Sequence, residues 1–227
     1  MIVQIYSITS VADAVATVEA GADLIGLVIA EAGVLPEAIS DQTAREIIAA
    51  IQPRARASML SLSDDRDEIC ALVDAVRPDV LHLNAREIEP EDCGWIRNRI
   101  APVRLLRGIA VTAGETLTEV DAHQDCADYL MIDSGAKGAP FAGKSGETHE
   151  WKVSREVVKR SRIPVILAGG LSAENVAQAI AEVRPWGVDS FTHTDIPGRR
   201  GKKDPARVRA FVAASMRAFA SLIESET

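Results

Sequence analysis

Eight short apolar runs, at 2–6, 24–29, 55–62, 80–83, 103–109, 129–132, 164–168 and 188–191, alternate along the chain with longer stretches of helical spacing. Runs that are apolar on both faces suit strands of a parallel sheet covered by helices, because neither face of such a strand meets water. Serines mark the helix starts: Ser10 before 11–20, Ser40 before 41–51, Ser63 before 64–76 and Ser172 before 173–181. Gly21 reads as the stop of the first helix, and Pro205 as the first turn of the last, over 205–223. Eight strand-helix units closing through right-handed crossovers predict an α/β chain folded as a single (β/α)8 TIM barrel.

At 227 residues there are about 28 residues per unit, which leaves no room for a second domain, so 1–227 reads as one. No linker or low-complexity tract divides it. With 47% hydrophobic residues the chain can bury a core; with only 4% aromatic residues that core is aliphatic, and the composition argues against base-stacking on aromatic platforms. A net charge of −8 argues against nucleic acid and anionic membrane surfaces as partners. Cys70, Cys93 and Cys126 show neither zinc-ligand spacing nor a disulfide framework, and no run is long enough to span a membrane. The expected location is cytoplasmic.

In a barrel of this kind the loops after the strands make the active face. The residues there form a polar ring: Tyr6 and Ser7, Glu31, Ser61 and Ser63, His82 and Asn84, Arg107, Asp133 and Ser134, Gly169 and Gly170, Thr192 and His193. Asp133 ends an apolar strand, where partial desolvation raises a carboxyl toward a useful general-acid range. The alternative role is a cap accepting backbone N–H groups. Gly169 and Gly170 lie between the seventh strand and its helix, where exposed amides can cradle a phosphate; a tight turn needing positive φ explains them equally well. Thr192, His193 and the basic stretch 199–203 suit an anion, against the commoner role of a solvated loop. Arg107 and His82 complete the candidate substrate-binding set; His82, His149 and His193 are candidate acid-base groups, and His123 has no functional case. The glycine-rich connection 134–150 is long enough to be functional.

Several motifs in order resemble the phosphoribosylanthranilate isomerase family, over nearly the whole chain. The most specific is 164–175, PVILAGGLSAEN; the opening VQIYSIT, Ile132-Asp133-Ser134, GKSGETHEW at 143–151, Val188-Asp189, Gly198 and Lys203-Asp204 support it. The resemblance implies an Amadori-type aldose-to-ketose isomerisation of a phosphorylated amino-sugar, in tryptophan biosynthesis, with no cofactor and no metal. It makes Asp133 the general acid that protonates the ribose ring oxygen, and Gly169-Gly170 the phosphate turn. Four departures accompany it. The family's Ser-Ser-Gly is Phe191, Thr192 and His193, its Gln-Leu-His-Gly is His82, Leu83, Asn84 and Ala85, and its substrate arginine has no match between Glu31 and Ser40.

The fourth is at the first strand, where Lys-Ile-Cys-Gly becomes Gln4, Ile5, Tyr6 and Ser7, so that Tyr6 replaces the cysteine base. An unperturbed tyrosine holds roughly thirtyfold less conjugate base than cysteine at neutral pH, about 2 kcal/mol. Two other outcomes therefore stand beside the family reaction. One is a barrel enzyme for another phosphorylated small molecule, an aldolase, lyase or different isomerase. The other is a non-catalytic phosphate-binding or assembly protein, in which the apolar helices support a homo-oligomer.

Overall fold

The computed structural model describes residues 1–30, 34–84, 88–111, 115–134 and 151–224. Eight parallel strands close into a barrel: β1 (Ile2–Ile5), β2 (Leu24–Ile29), β4 (Arg56–Ser61), β5 (Val80–Leu83), β6 (Arg104–Val111), β7 (Tyr129–Ser134), β8 (Val165–Leu167) and β9 (Gly187–Ser190). Closure comes from β1, which pairs with β2 on one side and with β9 on the other. Around them lie α1 (Val11–Glu19), α2 (Asp41–Ile51), α3 (Arg66–Val76), α4 (Pro90–Arg99), α5 (Thr116–His123), α6 (Trp151–Arg160), α7 (Val176–Val183) and α8 (Pro205–Glu224). Three further short strands lie outside the eight expected runs. β3 (Ala38–Ile39) extends the sheet beside β2, and β10 (Asp195–Ile196) pairs antiparallel with β11 (Arg199–Lys203).

Several helix ends follow the expected signals. The Ser10 and Ser40 hydroxyls accept the N–H groups of Asp13 and Thr43. After α1, Gly21 takes φ 100°, and the amides of Gly21 and Ala22 close back onto the carbonyls of Val18 and Thr17, satisfying groups the helix end leaves open. Two serine caps move. Asp65 starts α3, because its carboxylate reaches the N–H groups of both Asp67 (2.8 Å) and Glu68 (3.0 Å), while Ser63 binds Asp65 N–H and Glu68 from outside. Ser172 opens a turn, and α7 begins only at Val176.

The base of the barrel is held by a device repeated three times. Asp23, Asp79 and Asp128 each precede a strand, and each carboxylate accepts the backbone N–H of an adjacent strand, from Val3 (2.8 Å), Ala57 (2.8 Å) and Leu105 (2.9 Å). Asp128 also binds Arg97 at 2.8 Å and Arg104 at 3.3 Å. Burial pushes its carboxyl up, but Arg97, the Leu105 N–H and Arg104 outweigh this and hold it below the usual carboxylate range. Replacing Asp128 with Ala is expected to cost about 2 kcal/mol, since it removes a charged acceptor from several donors. Because the folded pKa is lowered, the contribution is present above the unfolded carboxylate pKa and is lost as pH falls through the folded one. Denaturant titrations should therefore separate the two proteins at neutral pH and draw them together progressively as pH falls below about 4.

Alternation along each strand assigns side chains to the inside of the barrel or to the layer beneath the helices. Outward residues such as Val3, Ile25, Met59, Leu81 and Leu130 join helix residues in the main core. Inside, Ile2, Leu24, Val80, Leu106 and Ile166 pack one end, closed by the stacked rings of Tyr129 and Trp186. At the next inward positions four buried side chains are polar, Gln4, Ser58, His82 and Asp189, beside the apolar Met131 and Ala168. A barrel held only by packing fills this level with aliphatic side chains, so the polar residues mark the level where chemistry begins.

Candidate active site

Above the polar level, at the carboxyl ends of the strands, lies a cavity open to solvent. A concave site at this end of the barrel, lined by apolar side chains and a few convergent polar groups, suits a small molecule. Tyr6, from the end of β1, packs its ring over β2 at Gly26, where a Cβ would lie 2.6 Å from Tyr6 Cγ. Only glycine leaves that space. The phenol oxygen lies 2.7 Å from His82 Nδ1, and the two rings meet edge to face. His82 and Asn84 crowd β6 at Gly108, where a Cβ would come within 2.9 Å of His82 Nε2. Ser7, the next residue after Tyr6, is buried with φ 59°. A non-glycine residue held in this left-handed conformation costs about 1–2 kcal/mol.

The electrostatics of this cluster are set by burial. It raises the Tyr6 phenol well above 10, with the Asp189 carboxylate adding to the rise and the Ser58 hydroxyl opposing it. It lowers His82 to about 3, reinforced by Arg107. Tyr6 therefore keeps its proton and His82 stays neutral. Asp189, also lining the cavity, is raised well above the carboxylate range by burial and by Asp133, against the pull of Lys203. Asp133 stands at the end of β7, opposite Ala110 of β6 in the ladder, and lines the same cavity.

The far wall is the turn after β8. Gly169 and Gly170 adopt φ 89° and 62°, a backbone that side chains with a Cβ rarely take. Asn175 locks this turn: its side-chain amide donates to the Gly170 carbonyl at 2.9 Å, and its oxygen accepts the Ser172 N–H at 2.9 Å. Thr192 and His193 face the cavity from a 3-10 turn, Thr192–Thr194, after β9. At the mouth, Arg200 reaches from β11 to Glu37 (3.0 and 2.9 Å) and lies over the Phe191 ring at 4.6 Å.

The family model for N-(5'phosphoribosyl)anthranilate (PRA) isomerase matches residues 3–214 of this chain. The chain belongs to the PRA isomerase family. Curated relatives agree: an N-(5'-phosphoribosyl)anthranilate isomerase of Pseudomonas fluorescens strain Pf0-1 is 37% identical over 211 residues, covering 93% of this chain and 96% of that protein. One of Haloferax volcanii is 33% identical, covering 99% and 97%. Among solved structures, the phosphoribosyl anthranilate isomerase of Thermotoga maritima superposes with a TM-score of 0.80 at 25% identity, covering 96% of this chain and 100% of that one. A phosphoribosyl anthranilate isomerase in complex with reduced 1-(o-carboxyphenylamino)-1-deoxyribulose 5-phosphate gives the same TM-score at 24% identity and the same coverage, which supports the barrel fold.

Against this family background the expected site residues divide clearly. Asp133, Tyr6, His82, Gly169, Gly170, Thr192 and His193 all line one cavity. Arg107 does not. Leu106 and Gly108 face inward, so alternation turns Arg107 to the outer side of β6; there it is buried, donates to the Leu83 carbonyl and lies in the field of Cys93, Glu119, Cys126 and Glu89. It is a charge beneath the helices, and the expectation of substrate contact is corrected. The basic stretch also changes meaning. Lys203 is buried against Asp195 at 2.7 Å, Lys202 lies outside on Thr9, and Arg200 alone of the four cations lines the cavity. Glu31, His149 and the 135–150 connection lie outside the described residues. Gln4, Glu37 and Asp189 were absent from the strand-end reading; the signal for Gln4 and Asp189 was a polar residue at an inward position inside an apolar strand.

Proposed function

We propose that this chain is an isomerase that converts a phosphorylated aldosylamine, N-(5'-phosphoribosyl)anthranilate in the family reaction, to the corresponding ketose. The observation that carries the reading is the shared cavity: a carboxyl at the end of β7 and, after the neighbouring strand β8, a positive-φ glycine pair opening toward a helix line the same mouth. Asp133 gives its proton to the ring oxygen, and the Gly169-Gly170 turn with Thr192 and His193 holds the phosphate. Nothing in this sequence of events requires a redox partner, because the sugar's C1 gains the hydrogen that C2 loses. Tyr6 enters as a protonated phenol that fixes His82. It does not enter as a base.

Rescue of a tryptophan auxotroph that lacks the isomerase tests the reading: the wild-type gene should restore growth and Asp133→Asn should not. The phosphate turn has its own expected result. At φ 62° a β-branched residue is strongly disfavoured, so Gly170→Val should abolish the thermal stabilisation that a sugar phosphate gives the wild type. A ligand at about 100 times its Kd contributes about 2.7 kcal/mol, well within the range of a thermal-shift measurement.

One feature favours a different phosphorylated substrate as a second reading. The Arg200 guanidinium at the cavity mouth is already paired with Glu37, so a substrate carboxylate must compete with Glu37 for it. A screen of phosphate esters in which another sugar phosphate stabilises the protein more strongly selects this reading.

A further inference from the structure

The polar level inside the barrel contains a carboxyl that no structural bond explains. Asp189 is 6% exposed, lines the cavity and, among the described residues, has no hydrogen-bond partner on Oδ1. Its register partner on β1 is Gln4, fully buried, with both amide atoms also unpartnered among the described residues. Buried polar groups are almost always hydrogen-bonded, and a carboxyl oxygen left without a partner beside an open cavity is available to what enters it. The neighbouring hydroxyl is not. Tyr6 also lines the cavity, but its hydroxyl is engaged with His82 at 2.7 Å.

We propose that Asp189 is the base of the isomerisation, taking the C2 proton of the ring-opened substrate. The assignment rests on the isomerase reading and supplies the group that β1 lacks. Asp133 protonates the ring oxygen, the C1–O bond breaks, and the nitrogen lone pair forms the C1=N bond. The Asp189 carboxylate then takes the proton from C2; the C2–H pair becomes the C1=C2 bond, and the C1=N pair returns to nitrogen. Asp189 returns its proton to C1 while the Asp133 carboxylate takes the C2 hydroxyl proton. The ketose forms and both carboxyl groups are reset.

The surroundings suit the role. Burial and the Asp133 charge hold Asp189 above the ordinary carboxylate range, which makes its ionised form the stronger base. The two carboxyl groups line one cavity and titrate as a coupled pair, and the form that turns over is the one that carries the shared proton on Asp133. The charged and titratable groups acting on Asp189 are Asp133 of β7, Lys203 of β11 and Tyr6 of β1. Lys203 favours the anion but is itself bound to Asp195.

The test compares the full-length wild type with Asp189→Asn, Gln4→Lys and Tyr6→Phe. Asp189→Asn should lower kcat by about a hundredfold to ten-thousandfold, with KM little changed and thermal stability no lower. Gln4→Lys places an ammonium beside the carboxylate, so the ascending limb of the kcat profile should move to lower pH. The proposal is overturned if Asp189→Asn stays within about tenfold of wild type, with loss of activity in Tyr6→Phe then moving the role to the phenol, and equally if that limb stays put in Gln4→Lys. Those results leave the isomerase reading standing. A wild-type protein without turnover removes that reading and the base together.

Discussion

Asp133→Asn is expected to lower kcat for phosphoribosylanthranilate by about a hundredfold to ten-thousandfold while leaving binding of a reduced product analogue nearly unchanged. The substitution keeps the size and planarity of the side chain and removes only its ability to deliver a proton. Asp133 belongs to the last regular residues of β7, paired through the ladder with β6, so its position does not depend on the connection that follows. The split between kcat and binding separates this role from a structural one. A carboxylate that served only as a cap would lose stability on amidation and would weaken binding and turnover together. An Asn variant with wild-type kcat and lowered thermal stability contradicts the assignment.

The second large effect concerns stability. Lys203 and Asp195 form an ion pair at 2.7 Å with side chains only 2% and 6% exposed, and the ammonium also donates to the Thr194 hydroxyl and the Phe191 carbonyl, each at 3.2 Å. Asp195 accepts the Gly201 N–H at 2.9 Å with its other oxygen. Lys203→Met leaves that carboxylate buried without its cation, and breaking a buried pair from one side costs about 3–5 kcal/mol. For a chain of this length the loss is about 6 to 20 °C in Tm. The double variant Lys203→Met with Asp195→Asn should recover a large part of it, because no uncompensated charge remains. The pair ties together the 3-10 turn that carries Thr192 and His193 and the hairpin that carries Arg200. Ligand-induced stabilisation should therefore weaken in the single variant alongside Tm.

How much of this was legible in the sequence depended on the range of the interaction involved. Barrel strands were visible because continuous apolar runs reflect burial on both faces, and Ser10, Ser40 and Gly21 were visible because caps act within a few residues. Ser63 and Ser172 misled because a better acceptor or a turn lay just beyond them: Asp65 offers a carboxylate to two amides, and Ser172 starts the turn that Asn175 closes. Asp133 and the glycine pair were found because they follow strands directly.

Arg107 was misplaced by reading strand ends without applying the two-residue alternation, which the flanking Leu106 and Gly108 settle. The same alternation identifies Gln4, His82 and Asp189 as one inward polar level. No local pattern announces the pairing of Glu37 with Arg200, separated by 163 residues. Tyr6 was correctly placed at the cavity, but its state was not. A pKa argument from the free side chain understates the cost of ionising a phenol buried against neutral His82 and near Asp189.

The most direct measurement is turnover of phosphoribosylanthranilate by the purified protein, with substrate and ketose product followed chromatographically. Catalytic conversion to 1-(o-carboxyphenylamino)-1-deoxyribulose 5-phosphate, greatly reduced in Asp133→Asn, is the predicted result. Saturable binding of the substrate with no product formed would contradict the account.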